Sequence, residues 1–253
     1  MKAIKFFYDL ETCGLNYKQN AIIQLGAKIE VDDKVVEEVD LLIQPHPKAV
    51  IEPEALEVNG RTLEEIKKFP FTYETGYKEL LRILSKYVDR FKRDEKMYLV
   101  GFNNKSFDDF FFRKLFELNK DAFFNSWFWS ESIDVMTVAG EYLIGRRPYM
   151  TNFKLKTVAR EMGIEIDESR LHEAGYDIEL TRLIYLIATG KIKEPAQNFH
   201  FYEHEGSGTI WKTFEPEIDR SPDVDEIDFR TYRKRLRDFG MTDGPGMIQD
   251  DLM

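Results

Sequence analysis

Apolar and polar positions in the first part of the chain follow a pattern that predicts β-strands. Residues 3–8 form a short apolar run that ends at Asp9, as a buried strand does. Two further strand-like stretches, 21–30 and 34–43, are joined by a pair of aspartates that suits a tight turn. Because these stretches are consecutive and their links are short, the pattern predicts an antiparallel meander.

The chain from residue 45 to residue 190 changes to alternating helical and strand-like patterns. Prolines interrupt the connection over 45–72, and apolar residues recur at helical spacing from Tyr77 to Phe91. The other predicted elements are a strand at 97–102, a helix at 106–118, a strand passing into a helix near 133–135, and helices at 153–162 and 174–189. This order indicates an α/β or α+β domain built on a mixed sheet.

The composition of the sequence changes after Lys193. Residues 194–253 contain prolines and clusters of acidic residues, with one convincing helical pattern at about 225–239. We therefore expect a globular domain over 1–190 and a partly helical C-terminal extension over 191–253. The apolar face of its predicted helix could dock on a protein partner or fold back on the globular domain.

Composition limits the class of protein. The 253 residues carry a net charge of −10, which argues against a protein that holds nucleic acid mainly by bulk positive charge. A hydrophobic share of 43% is too high for a disordered chain. Apolar runs are shorter than the ~20 residues of a membrane span, and Cys13 is the single cysteine. We expect a soluble cytoplasmic (intracellular) protein without a membrane partner.

Candidate chemistry begins with two carboxylates at the end of the first predicted strand. Asp9 and Glu11 are two residues apart, so both side chains leave the same face of the strand. Burying two like charges is costly unless a cation offsets them, and hard oxygen ligands suit Mg²⁺ or Mn²⁺. The alternative is an ordinary pair of solvated acids at a strand end.

Two later segments supply further polar groups. Asp108 begins the predicted helix after the 97–102 strand, where it either complements the helix N-terminus or turns toward the strand ends. His172 and Asp177 stand at the start of the last predicted helix. The histidine is a candidate general base and the aspartate a candidate metal ligand. The alternative for His172 is an ordinary surface or packed side chain.

Two other features could contact nucleic acid. The aromatic segment 123–129 could stack unpaired bases, although aromatic-rich segments more often form core. Arg146 and Arg147, with Lys154 and Lys156, form a local basic patch in an acidic chain. We expect this patch to hold a phosphate backbone, and the alternative is a solvated loop.

The order of these motifs resembles the DEDD superfamily of 3′→5′ exonucleases, in its histidine-bearing, DnaQ-like (DEDDh) branch. The first motif matches 7–15, the second matches 103–108, and the third matches His172 and Asp177. The resemblance covers about residues 3–190. In its finer motif details the segment 101–109 is similar to nuclease domains of the exodeoxyribonuclease I family.

The resemblance implies a ribonuclease H-like fold, with a mixed five-stranded sheet flanked by helices. It also implies a catalytic set, namely Asp9, Glu11, Asp108 and Asp177 as ligands of two Mg²⁺ ions, with His172 as the general base. Mn²⁺ is expected to substitute for Mg²⁺. The implied activity is metal-dependent removal of nucleoside 5′-monophosphates from the 3′ end of single-stranded DNA.

The resemblance also implies substrate contacts by Thr12, Leu15, Asn104 and Phe107. Thr12 would meet the terminal 3′-OH, and Leu15 occupies the position that wedges against the terminal base. An ordinary core leucine is an equally good interpretation of Leu15.

Two alternatives to the single-strand-specific enzyme stay open. The same catalytic residues serve an exoribonuclease, because no motif reports on recognition of the 2′-OH. The extension at 191–253 also fits a proofreading or repair subunit that binds a larger replication complex.

Overall fold

The computed structural model describes residues 3–170 and 174–195 of the chain. The expected general base, His172, lies outside the described residues, and so does segment 196–253 of the expected extension. The domain boundary near residue 190 and the role of the extension therefore stay predictions.

A mixed five-stranded sheet forms the centre of the fold, in the strand order β3-β2-β1-β4-β5. The strands are β1 (Ile4–Thr12), β2 (Ile22–Val31), β3 (Lys34–Leu42), β4 (Tyr98–Gly101) and β5 (Ile133–Asp134). β1 pairs antiparallel with β2 and parallel with β4, while β2–β3 is antiparallel and β4–β5 is parallel. The predicted α/β fold with a mixed five-stranded sheet is confirmed.

The predicted meander rests on the turn between β2 and β3. Asp32 and Asp33 both have positive φ angles, of 50° and 66°, and Val31 pairs with Lys34. Aspartate tolerates this left-handed conformation better than most residues, and such a turn matches the twist of paired strands. The first strands therefore pair in the order in which the chain supplies them.

Helices cover both faces of the sheet. They are α1 (Pro53–Val58), α2 (Leu63–Ile66), α3 (Tyr73–Leu84), α4 (Asp108–Leu118), α5 (Phe124–Trp127), α6 (Val135–Tyr142), α7 (Leu155–Glu161) and α8 (Ala174–Ala188). Short 3-10 turns occupy Asn104–Ser106, Arg147–Tyr149 and Glu168–Arg170. No helix among the described residues has the length and apolar character needed to cross a bilayer.

The helix predicted over 77–91 has different bounds in the structure. α3 begins earlier, because Thr72 and Thr75 form a reciprocal cap at its N-terminus. It ends at Leu84, and Phe91, which the apolar pattern assigned to the helix, is 88% exposed in the following connection. The apolar pattern continues past the helix end because Val88, which follows the turn at 85–87, is also buried.

Successive side chains of β1 point to opposite faces of the sheet and enter two different apolar cores. Phe6 and Tyr8 belong to the core that contains the buried residues of α3, α4 and α5, whereas Phe7 belongs to the core that α6, α7 and α8 form. Within the first core, Phe124 and Phe128 pack against the buried aromatic residues of α4. The core interpretation of segment 123–129 is therefore correct for Phe124, Trp127 and Phe128, whereas Phe123 is exposed. The alternation also places Asp9 and Glu11 on the α8 face.

Ion pairs hold α8 on this face of the sheet. Glu30 of β2 is fully buried and accepts hydrogen bonds from Lys5 Nζ at 2.7 Å and Arg182 Nε at 2.9 Å. Lys28 Nζ donates to Glu179 Oε2 at 2.7 Å. Because Glu179 and Arg182 lie just beyond Asp177 in α8, these contacts fix the helix that carries the predicted metal ligand.

Candidate active site

Asp9 and Glu11 lie within the last part of β1, which runs farther than the apolar run at 3–8 predicts. The strand continues because Asp9 pairs with Gly26 of β2 and Glu11 pairs with Gln24. Burial and the neighbouring charge of Glu11 raise the pKa of Asp9 to about 7. Burial and the charge of Asp177 raise the pKa of Glu11 to about 7.

Asp108 reaches the same strand end from α4. It is the first residue of the helix, follows Phe107, and is 7% exposed. Burial and the charge of Asp9 raise its pKa well above the usual range. Hydrogen bonds from backbone N–H groups, including that of Leu10, oppose this rise. Asp108 therefore turns toward β1 and is more than a complement to the helix N-terminus.

Asp177 completes the group from α8. Its charge raises the pKa of both Asp9 and Glu11, and the charge of Asp108 also raises that of Glu11. The fold thus brings carboxylates from β1, α4 and α8 into one electrostatic cluster. The expected base, His172, cannot be placed relative to them, since it lies outside the described residues.

The carboxylate cluster fits a hard divalent cation in its donor chemistry. Oxygen ligands alone suit Mg²⁺ or Mn²⁺, and a bound cation would offset the mutual repulsion that raises the pKa values. Within residues 3–170 and 174–195, no three His, Cys, Asp or Glu side chains are already grouped as a metal-holding set. The metal assignment therefore rests on donor type and charge, and it belongs to the proposal below.

Asp109 is an internal anchor rather than a solvated helix-end charge. Its carboxylate accepts hydrogen bonds from the Tyr8 hydroxyl, from Ser132 Oγ at 2.5 Å and from Asn104 Nδ2 at 3.5 Å. The anchor joins β1, α4 and the segment before β5. The sequence places Tyr8 next to Asp9, but this position does not predict that Asp109 is its hydrogen-bond partner.

A second anchor holds the loop before Asp108. Asp134 Oδ1 accepts hydrogen bonds from the backbone N–H groups of Asn103 and Met136, each at 2.9 Å. Asn103 has a positive φ of 62°, which asparagine tolerates. The buried Asp134 thus caps α6 and fixes the turn that leads into α4.

The side chain of Asn104 lies inside the fold. Asn104 is fully buried, and a Cβ on Gly101 would lie 2.8 Å from its Cβ. Its amide points toward Asp109. The side chain thus has internal contacts in this structure, and its contact with the substrate stays a prediction.

The other predicted substrate residues of the first two motifs differ in access. Leu15 is 77% exposed, so the interpretation as a core leucine is wrong, and its contact with a terminal base stays a prediction. Thr12 is buried, and its hydroxyl donates to the carbonyl of Gly14 at 2.7 Å. Phe107 is half-buried and packs on Phe111 with ring centroids 4.9 Å apart.

The basic patch divides into two parts. Arg146 donates to both carboxylate oxygens of Glu194, at 2.8 and 3.1 Å, and to the carbonyl of Glu161 at 2.9 Å. This internal pairing joins residues 48 positions apart, and the phosphate contact of Arg146 stays a prediction. Arg147 is exposed and lies 4.5 Å from the Phe153 ring centroid. Its substrate contact stays a prediction.

Two residues of the connection between β3 and β4 influence the site, although no motif in the sequence predicts it. Asn59 Nδ2 donates to the carbonyl of Thr12 at 3.0 Å, which ties this connection to the end of β1. The positive charge of Arg61 lowers the pKa of Glu11, but burial and the neighbouring carboxylates raise it by more. Arg61 thus contributes a cation to an otherwise acidic site.

Comparison with known proteins identifies the class. A family model described as Exonuclease (RNase_T) matches residues 6–185, and the chain belongs to this exonuclease family. DNA polymerase III PolC-type of Mycoplasmopsis pulmonis is 27% identical over 191 residues, which cover 76% of this chain and 12% of the polymerase.

The fold is also that of solved exonuclease structures. Zinc-bound E. coli exonuclease I with single-stranded DNA matches with a TM-score of 0.60 and 20% identity, covering 76% of this chain and 41% of that one. The complex of the same enzyme with a dT13 oligonucleotide gives 0.58 and 21%, with coverages of 76% and 42%. This chain therefore spans less than half the length of each of these proteins.

Proposed function

We propose that this chain is a metal-dependent 3′→5′ exonuclease that releases nucleoside 5′-monophosphates from the 3′ end of single-stranded DNA. One observation carries the proposal, the cluster of Asp9, Glu11, Asp108 and Asp177 at the end of the central strand in a member of the exonuclease family. Carboxylates that raise one another's pKa at one site are typical of a centre that binds cations.

Each residue has a separate task in this proposal. The four carboxylates would hold Mg²⁺, with Mn²⁺ as a substitute, and such ions would supply charge neutralisation at the scissile phosphate and activation of a water molecule. His172, by its place in the third motif, accepts the proton of the attacking water. The anchors at Asp109 and Asp134 hold α4 and its preceding turn so that Asp108 faces β1.

A preference for single strands is supported by charge and by surface shape. A net charge of −10 weakens nonspecific attraction to the phosphate backbone of a duplex. The exposed Leu15 follows the strand that carries the catalytic pair, where an apolar side chain can contact an unpaired terminal base. E. coli exonuclease I, whose fold this chain shares, is known in complex with single-stranded DNA.

The decisive experiment follows digestion of 5′-labelled single-stranded DNA, duplex DNA and RNA, each with Mg²⁺, Mn²⁺ or EDTA. We expect a ladder that shortens from the 3′ end, on single-stranded DNA, only when a divalent ion is present. Digestion that persists in EDTA contradicts the metal-dependent mechanism. Equal digestion of RNA supports the exoribonuclease alternative.

Matched variants separate catalysis from contamination. Asp9→Ala is expected to abolish digestion while retaining a cooperative melt, because the residue contributes charge repulsion and no core packing. Asp94→Asn changes an exposed acid in the connection before β4 and is expected to keep full activity. Activity in Asp9→Ala would refute the site assignment.

A proofreading role is the second candidate, and the match to a segment of a PolC-type polymerase favours it. A proofreading nuclease acts on the frayed 3′ end of a mismatched primer. Comparison of matched and mismatched primer–templates tests this role. Faster removal of the mismatched nucleotide supports it, and equal resistance of both duplexes contradicts it.

A further inference from the structure

A stacked aromatic pair joins the loop after β1 to the start of α4, with Phe110 exposed and Tyr17 half-buried. Phe110 of α4 is 45% exposed, although the two phenylalanines that follow it, Phe111 and Phe112, are buried. The ring of Tyr17, from the loop between β1 and β2, stacks on Phe110 with centroids 5.2 Å apart and an interplanar angle of 22°. Two chain segments thus combine to present one apolar aromatic surface.

Both segments lead directly from the catalytic residues. Phe110 lies in the first turn of α4, two positions after Asp108, and Tyr17 follows Glu11 in the loop that leaves β1. Both rings therefore belong to the two segments that also carry Glu11 and Asp108 of the proposed site. An isolated exposed phenylalanine needs no explanation, but a stacked pair at this place does.

The loop that carries Tyr17 is fixed by hydrogen bonds. The buried side chain of Asn20 accepts from the Asn16 N–H at 2.6 Å and donates to the Val50 carbonyl at 2.8 Å. A Cβ on Gly14 would lie 2.3 Å from Asn20 Nδ2, so the loop packs closely at its start. An aromatic surface held in this way loses little conformational entropy when a ligand stacks on it.

The chemistry of the surface includes a cation. The ammonium of Lys18 lies 5.8 Å from the Tyr17 ring centroid, and the side chain is exposed. Flat rings bind the faces of unpaired bases, and an adjacent ammonium binds the phosphates between them. This combination suits a single strand better than a duplex, whose base faces are covered.

We propose that Tyr17 and Phe110 stack an unpaired base of the substrate strand, upstream of the nucleotide that is cleaved, while Lys18 contacts its phosphate. The inference rests on the proposed function, since it takes the carboxylate cluster as the position of the 3′ end. It adds a strand-binding surface that holds the DNA between cleavage events.

Binding tests the surface independently of hydrolysis. Fluorescence anisotropy of a 5′-labelled oligo-dT, with Ca²⁺ in place of Mg²⁺, gives the Kd without requiring turnover. We expect Phe110→Leu and Tyr17→Leu each to weaken binding roughly 5- to 100-fold, because base–aromatic stacking is lost while apolar packing remains. Tyr17→Phe, which keeps the ring, is expected to bind as the wild type does.

An abasic scan shows whether the rings contact a base. One abasic site within the last few nucleotides should weaken binding to the wild type by a similar factor, and this loss should disappear in Phe110→Leu. Phe91→Leu is the matched control, because Phe91 is an exposed aromatic residue in the connection before β4. It should bind the normal and abasic strands as the wild type does.

The outcomes separate this inference from the proposed function. Unchanged affinity in Phe110→Leu and Tyr17→Leu, or equal abasic losses in the variants and the wild type, overturns the stacking surface. A folded wild type that does not bind oligo-dT overturns it as well. Binding with the expected pattern, but no metal-dependent digestion, retains the surface and refutes the nuclease.

Discussion

The hydroxyl of Tyr8 donates a hydrogen bond to the carboxylate of Asp109, across 101 positions of sequence. Each partner adjoins a residue of the proposed catalytic cluster, because Tyr8 precedes Asp9 and Asp109 follows Asp108. The bond joins β1 to α4 on the opposite face of the sheet from Asp9 and Glu11. It therefore sets the position of one catalytic element relative to the other.

Tyr8→Phe should lower the free energy of unfolding by about 1–3 kcal/mol, since it removes a hydrogen bond to a part-buried carboxylate. Urea denaturation measures this loss, and Tyr98→Phe, at an exposed tyrosine of β4, is the control. Because Asp108 depends on the same anchor, kcat should also fall. If Tyr8→Phe keeps the stability and the kcat of the wild type, the bond does not position α4.

Glu30→Gln should weaken the attachment of α8 to the sheet. The fully buried carboxylate pairs with Lys5 and Arg182, so its neutralisation leaves buried cations with less compensation and costs about 3 kcal/mol. Glu38→Gln is the control, because this acid is 70% exposed where it pairs with Lys28 and should cost less than ~1 kcal/mol. Equal losses in the two variants would contradict a special role for the buried pair.

The metal-free protein should lose stability as the pH rises. The pKa of Asp9 is about 7 in the folded chain against an ordinary value of 3.8, so the folded state retains a proton that the unfolded state releases. The free energy of unfolding therefore falls between about pH 4 and pH 7, and stays low above that range. The same sign holds for Glu11, with values of about 7 and 4.5.

Asp9→Asn removes one of these charges and should flatten the pH profile. In EDTA at about pH 8 the variant should exceed the wild type by on the order of 1–2 kcal/mol, because the repulsion is relieved. Urea melts across the pH range measure the difference, with Asp94→Asn as the control at an exposed acid. A variant that is less stable than the wild type at high pH would refute the repulsion.

Mg²⁺ should raise the Tm of the wild type above neutral pH, because ion binding to the folded carboxylates shifts the unfolding equilibrium. The gain is about 2.7 kcal/mol at a concentration 100 times the Kd. Asp9→Asn should show a much smaller shift in Tm, since a neutral amide replaces one of the negatively charged ligands. Equal shifts in both proteins would place the binding site elsewhere.

Leu15→Ala tests the exposed side chain at the end of β1. With 77% of Leu15 in contact with solvent, the Tm should stay near that of the wild type, while the KM for single-stranded DNA rises. Leu118→Ala, at an exposed leucine that ends α4, is the matched control for a change of this size. A large loss of Tm in Leu15→Ala, or an unchanged KM, contradicts the contact with a terminal base.

Much of the site could be predicted because its signals are local. The spacing of Asp9 and Glu11 fixes their common face in any strand, and the apolar run before them identifies that strand. The turn at Asp32-Asp33 was also predictable, since short-range backbone conformation determines it. Phe91 shows the limit, because helical spacing continued beyond the cap that ends α3.

Tertiary packing decides the surroundings of two other predicted substrate residues. Asn104 and Arg146 are polar residues in motifs or basic runs, and composition gives both an outward role. The fold instead buries Asn104 beside Gly101 and pairs Arg146 with Glu194. The pairing of Arg146 with a residue 48 positions away does not follow from the neighbouring sequence.

The sequence by itself determined the mixed α/β class, the main strands and longer helices, and the candidate carboxylates, because periodicity and motif spacing are properties of short segments. Only the tertiary structure decided that Asp109 anchors α4 through Tyr8, that Asn59 binds the carbonyl of Thr12, and that Tyr17 stacks on Phe110. Those relationships join residues far apart in the chain, and the packing of α4, α8 and the connecting loops around the end of β1 creates them.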